Sequence, residues 1–164
     1  MPNYGITILA MGDKLASIIS EVLAAVFLLL SFYPIMRYGD LAGIQVPQHY
    51  SNGCVDIWST RVIFVYLALI GMALYSLISL CQLYPNFVNL PFASRSMSEQ
   101  DKILLARSIA SFLKVWCMSM FAFLSISSYR IAIGKDNCLN NTVVYILVFC
   151  AIAHLSFILL SRNE

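Results

Sequence analysis

Four stretches of this chain are continuously apolar, and the polar residues gather between them. The stretches cover residues 15–36, 62–83, 115–133 and 143–160. Each meets or nearly meets the roughly 20 residues that a helix needs to cross about 30 Å of hydrocarbon. None alternates apolar with polar positions, as a half-buried strand would. In lipid a helix satisfies its own N–H and C=O groups, which an open strand cannot do. The pattern predicts an all-α integral membrane protein with four transmembrane helices, over about 15–36, 60–84, 99–133 and 142–161, in a single domain spanning 1–164. The first stretch reads as a retained helix and not a signal peptide: its apolar run is long, only Lys14 precedes it, and no small-x-small cleavage site follows.

Helix boundaries follow from the residues between the blocks. Asp13 is placed to cap the first helix, and Pro34 lies near its far end. Gly39, Asp40, Gly43, Pro47, Asn52 and Gly53 make 37–59 a loop rich in turn formers. The second helix is expected to stop near Tyr84-Pro85-Asn86, before Asn89, Pro91 and a serine-rich stretch. Ser96 with Glu99, and Ser98 with Asp101, have capping-box spacing. No helix breaker lies between Gln100 and Ile133. One long third helix is therefore predicted, about 50 Å at 1.5 Å per residue, with its first turns extending into the cytoplasm. Residues 134–141 form a tight polar turn.

Composition strengthens the membrane reading. Sixty per cent of the residues are hydrophobic and 11% are charged, against about half and about a quarter in soluble domains. The net charge of +2 and the lack of a basic stretch interleaved with aromatics argue against a nucleic-acid partner. Lys and Arg set the orientation. Lys14, Arg95, Lys102, Arg107, Lys114 and Arg162 fall on the side of the termini, and Arg37, Arg61, Arg130 and Lys135 on the other. The excess puts both termini in the cytoplasm. Tyr33, Tyr38, Trp58, Tyr84, Trp116, Tyr129 and Tyr145 stand where interfacial belts belong.

No catalytic pattern is present. The chain has no Gly-rich phosphate loop, no Ser-His-Asp set with a nucleophile elbow, no helical His-x-x-x-His and no Cys-x-x-Cys. The expectation is a non-enzymatic protein without cofactor or metal. A zinc site usually needs three or four protein ligands, and only His49, Cys54 and Asp56 are close together in sequence.

The densest polar cluster is the segment 47–61, which reads Pro-Gln-His-Tyr-Ser-Asn-Gly-Cys-Val-Asp-Ile-Trp-Ser-Thr-Arg. Within it Pro47, His49, Tyr50, Gly53, Asp56, Trp58 and Arg61 match in kind a Pro-x-His-aromatic-Asn, Gly-x-x-Asp-x-aromatic, Ser-Lys/Arg signature. Tyr84-Pro85, Asn89-x-Pro91, Glu99 and Asp13-Lys14 extend the match over nearly the whole chain. On these residues the chain resembles the bacterial membrane family catalogued as domain of unknown function 1648, which is related to the SdpI-type immunity membrane proteins. His49 and Gly53 are one residue closer than the family's usual spacing, and the usual Asn is either replaced by Ser51 or displaced to Asn52. The resemblance implies an inner-membrane protein that recognises a peptide, toxin or protein partner through its outer loop. Read from the residues alone, the same loop is either a hydrogen-bonded lid holding two helices in register or a partner-binding surface. His49 and Asp56 are placed to pair, Trp58 to anchor at the interface, and Arg61 to snorkel.

Ionisable residues inside apolar helices are costly and therefore noteworthy. Glu21 lies two turns into the first helix, seven residues after Lys14. Lys114 and Arg107, also seven apart, approach the same leaflet from the third helix, so a Glu21–Lys114 pair is expected. His154 lies near the middle of the fourth helix, with Ser119, Ser125 and Ser128 available as partners. Cys81, Cys117 and Cys150 read as small apolar residues. Cys54 and Cys138 share the outer side and would bridge if that side is oxidising. Ala68, Gly71, Ser119 and Ala122 permit close helix contact or a homo-oligomer face. Two other functional readings stand beside recognition: an accessory subunit of a larger membrane complex, and a small proton-coupled transporter using Glu21 and His154.

Overall fold

The structure is a computed structural model in which residues 4–85 and 98–160 are described. In chain order it comprises α1 (Tyr4–Ser31), α2 (Tyr33–Met36), a 3-10 turn (Tyr38–Leu41), β1 (Val46–Ser51), β2 (Cys54–Ser59), α3 (Ile63–Leu83), α4 (Glu99–Ala132) and α5 (Asn141–Leu160). Three helical segments, of 20, 21 and 34 residues in α1–α2, α3 and α4, are long and apolar enough to cross a membrane. Arg95, Ser96, Arg162 and the 89–91 stretch lie outside the described residues, as do the side chains of Asp13 and Lys14.

Two expectations about the first helix change. It begins at Tyr4, so Asp13 lies in the helix interior and not at its N-terminus. It also stops at Ser31, and after Phe32 the chain resumes as the single turn α2. Pro34 is the cause: it has no N–H to give to the carbonyl of Leu30, and its ring crowds that carbonyl. The buried Pro34 then sits in the first turn of α2, where a missing donor costs nothing. At the start of α4, Ser98 caps as its spacing predicts, its Oγ accepting from the N–H of Asp101 at 3.2 Å.

The larger correction is to the all-α class. The loop after α2 contains an antiparallel hairpin, with Val46 opposite Ser59, Pro47 opposite Trp58, His49 opposite Ile57, Tyr50 opposite Val55 and Ser51 opposite Cys54. Its two turn residues, Asn52 (φ 51°) and Gly53 (φ 85°), both have positive φ. A type I′ turn requires that pair, and the twist of I′ matches the twist of the strands it joins. The turn between α4 and α5 joins the same sheet by one residue. Cys138 forms an isolated antiparallel bridge with Cys54, and the N–H of Leu139 donates to the carbonyl of Gly53 at 2.7 Å.

The hairpin is seated on the helix ends by a small apolar core. Leu41, Val46 and Phe64 are fully buried there with Tyr129, and Ile35, Ile63, Leu67, Ala132 and Ile133 pack around them. Burying each such side chain is worth about 1.5–3 kcal/mol. The hairpin is therefore a fixed cap on the bundle.

Below the cap, α4 is the central helix, packed along both α1 and α3, while α5 lies at the periphery against α4. The seam of α4 repeats every fourth residue: Ala106, Ala110, Lys114, Met118 and Ala122 are all buried. Small side chains let backbones approach, and Ala24 on α1 with Ala68 and Gly71 on α3 are likewise small and buried. A Cβ on Gly71 would already touch Leu28 and Phe121, at 3.6 and 3.7 Å. Ala68, Gly71 and Ala122 are thus used inside the bundle.

Candidate functional site

The cap end carries the loop residues singled out above. Pro47 is buried beneath the hairpin, whereas His49, Asp56 and Trp58 are exposed. His49 Nδ1 lies 2.8 Å from Asp56 Oδ1, the pair joining β1 to β2 across the hairpin. Both side chains stay largely in solvent, so this pair adds little stability. Ile57 and Trp58 are about half exposed on the same hairpin.

Tyr50 points the other way. Its hydroxyl meets Ser128 Oγ of α4 at 2.5 Å, and burial pushes that phenol above its ordinary range. Arg61 is held by the turn before the hairpin: its guanidinium donates to the carbonyl of Tyr38 at 3.0 Å and lies 4.2 Å from the centre of the Tyr38 ring. Asp40 is held by Arg37 at 2.8 Å and by the Tyr129 hydroxyl at 3.0 Å. Tyr33 packs edge-on against Tyr129, with ring centres 5.3 Å apart. Cys54 and Cys138 are joined in a disulfide, Cα to Cα 4.4 Å. Beside it Arg130 chelates Asp136 at 2.6 and 3.0 Å and holds that carboxyl below the usual range.

The hairpin is thus tied to α4 and to the α4–α5 turn at separate points: the Tyr50 hydrogen bond, the Cys54–Cys138 disulfide and the Val46 side chain in the core. A further contact closes its tip. A Cβ added to Gly53 would lie 2.5 Å from Oδ1 of Asn141, at the start of α5. Only glycine fits both that approach and the backbone angle.

A second polar cluster lies in the helices, towards the end opposite the cap. Lys114 occupies the buried seam of α4 and is 2% exposed, yet its Nζ donates to Glu21 Oε2 of α1 at 2.6 Å. The Tyr75 hydroxyl of α3 donates to the other carboxylate oxygen, and its ring lies 5.0 Å from the ammonium. Gln82 Nε2 donates to Ser111 Oγ at 2.6 Å close by. A cavity of about 420 Å³ opens beside these groups. Sequence spacing pointed to Glu21 and Lys114 but not to Tyr75 or Gln82. Both lie on α3 within an apolar run, and the signal for them was the polar interruption itself at Tyr75, Ser79 and Gln82, spaced four and three apart.

His154 is elsewhere. Its ring stacks on Phe112 with centres 3.8 Å apart, and its Nε2 has no hydrogen-bond partner among the described residues. The serines expected to tie it are otherwise placed: Ser119 donates to its own helix, Ser128 meets Tyr50, and Ser125 Oγ has no partner among the described residues. Phe112 and Lys114 point about 200° apart around α4, so His154 and Glu21 lie against different faces of that helix and share no site. Trp116 is also held by a neighbouring helix. Its indole N–H donates to the carbonyl of Leu147 at 2.8 Å, tying α4 to α5.

Among the described residues no group of three His, Cys, Asp or Glu side chains gathers as metal ligands would. The cap presents a fixed mixed polar and aromatic surface, and the helix cluster presents paired charge beside a cavity. Compared with family models, with curated proteins and with solved structures, this chain matches none of them.

Proposed function

We propose that this chain is a non-enzymatic bacterial inner-membrane protein that recognises a peptide or protein partner on its outer face. The observation that carries the reading is the cap. A hairpin tied down at separate points holds His49, Asp56, Ile57 and Trp58 outward in one fixed arrangement. A surface already ordered loses less conformational entropy on binding than a free loop does. The residues that carry the likeness to the 1648-type family are the ones that build this cap, and its immunity-type relatives are the source of the peptide or toxin as partner.

The same proposal includes four membrane spans with both termini in the cytoplasm. The 20-residue α5 supports the fourth span. The Lys and Arg excess supports the orientation, and the Cys54–Cys138 disulfide supports placing the cap in an oxidising compartment.

Deleting the gene is expected to sensitise cells to a membrane-active peptide. Complementation with His49→Ala or Asp56→Ala should fail to restore resistance at unchanged protein level. Full protection by both variants would reduce the cap to a structural lid.

A further inference from the structure

The cavity beside the Glu21–Lys114 pair is lined by Ser17, Glu21, Ser79, Gln82, Arg107 and Lys114, with an apolar edge at Leu83. Among the described residues, two cations and one carboxylate line it. Glu21 and Lys114 are matched at 2.6 Å, leaving the positive charge of Arg107. Arg107 makes no ion pair among the described residues. The acidic residues at the start of α4 are engaged elsewhere: Glu99 with Lys102 at 2.7 Å, and Asp101 with the Ser98 cap.

Hydrogen-bond donors are in surplus too. Lys114 uses one of its three N–H groups on Glu21, and Gln82 uses one of its two on Ser111. The guanidinium of Arg107 contributes five more. Ser79 has already given its proton to the carbonyl of Tyr75. Against these stands one acceptor of like charge to an anion, the Glu21 carboxylate, and both its oxygens are occupied by Lys114 and Tyr75. A cavity with net positive charge and unused donors calls for an anion.

Depth narrows the choice. Arg107 and Arg130 lie 23 positions apart on one unbroken helix, or about 35 Å at 1.5 Å per residue. That is slightly more than the about 30 Å hydrocarbon thickness. Arg130 is at the cap end, so Arg107 sits at the phosphate level of the opposite leaflet. Lys114 is about 10 Å deeper along the same face, and two long side chains seven positions apart can converge on one group between them. The planar guanidinium fork matches phosphate oxygens, and the ammonium adds a point charge.

We propose that this cavity binds a phosphoryl group, held by Arg107 and Lys114, from either a phospholipid headgroup of that leaflet or free phosphate. The inference rests on the helices being membrane spans and is independent of what the cap recognises.

The test uses the full chain, delipidated in mild detergent. Native mass spectrometry measures binding of dioleoyl phosphatidylglycerol against dioleoylglycerol, which has the same tails and no phosphate. Equilibrium dialysis with labelled orthophosphate measures the soluble source. One saturable site for phosphatidylglycerol but not dioleoylglycerol assigns the lipid, and one saturable orthophosphate site assigns the free anion. In either case Arg107→Gln should weaken binding roughly tenfold or more, as loss of a charge-assisted hydrogen bond implies. Lys102→Gln, at an already paired surface lysine, should change it less than twofold. Ser17→Leu, which fills the cavity without removing a charge, should abolish it and decides the matter if Arg107→Gln does not fold. Equal binding of both lipids with no orthophosphate bound, or undiminished binding by folded Arg107→Gln or Ser17→Leu, would overturn the proposal.

Discussion

Lys114 and Glu21 touch at 2.6 Å but are not equally enclosed: the lysine side chain is 2% exposed and the glutamate 46%. The two halves of the pair should therefore respond differently to mutation. Glu21→Ala leaves the enclosed ammonium of Lys114 without its carboxylate and is expected to cost about 3 kcal/mol. Lys114→Met leaves a carboxylate that the cavity can hydrate, and should cost clearly less. Thermal unfolding of the two variants in one detergent checks the order. A larger loss for Lys114→Met would mean that the pair is not buried as described.

The disulfide links residues 84 positions apart, and a disulfide is typically worth about 2–4 kcal/mol. A chain lacking Cys81, Cys117 and Cys150 should migrate differently with and without reductant, and Cys54→Ser should remove the difference. The same reductant should lower the unfolding temperature of the parent and leave that of Cys54→Ser unchanged.

Gly53→Ala is expected to loosen the tip of the cap. It forces a side chain into a positive φ and towards Asn141, and such strain costs of order 1–3 kcal/mol. Asn52→Gly, at the other turn position, should be nearly neutral because glycine accepts the same angle. Protease cleavage within 46–59 would report the difference.

Tyr50 makes the cap sensitive to alkali. Burial raises its phenol above the ordinary value of 10.0. A raised acid is stabilising in its neutral form, so its contribution is complete below about pH 10 and is lost as the pH rises through the folded-state value. Tyr50→Phe should cost about 1 kcal/mol at neutral pH through the lost Ser128 contact. The gap in unfolding temperature between the two proteins should then narrow or reverse above pH 10. A gap that does not move with pH would show that the phenol is not buried.

The helices were the legible part of this fold. α3, α4 and α5 begin and end within three residues of the helix bounds read from the sequence, because a continuous apolar run favours a helix, which satisfies its own backbone, and the Ser98 cap marks where α4 starts well before its apolar block. The first ten residues of α1 were not legible. Gly5 and Gly12 are poor helix formers and made the segment look like an arm. The hairpin was hidden for a different reason. Its Asn52-Gly53 turn is a strong local signal, but the alternation around it is broken by register shifts between Pro47 and Tyr50. Polar residues in a short loop then read as turn formers. At the helix cluster, the charged partners were legible from heptad spacing, while Tyr75 and Gln82 required knowing which face of α3 meets α4.

The bond between Cys54 and Cys138 also sets an order on biosynthesis. Its first thiol leaves the ribosome 84 residues ahead of its second, a delay of about 4–17 s at 5–20 residues per second. Through that interval the hairpin exists without its covalent clasp, and the whole of α4 must be made before the clasp can close. A nascent chain stalled before Cys138 would hold Cys54 as a free thiol, open to capture by any oxidoreductase or stray disulfide it meets. Completion of the cap is thereby postponed until the last loop emerges.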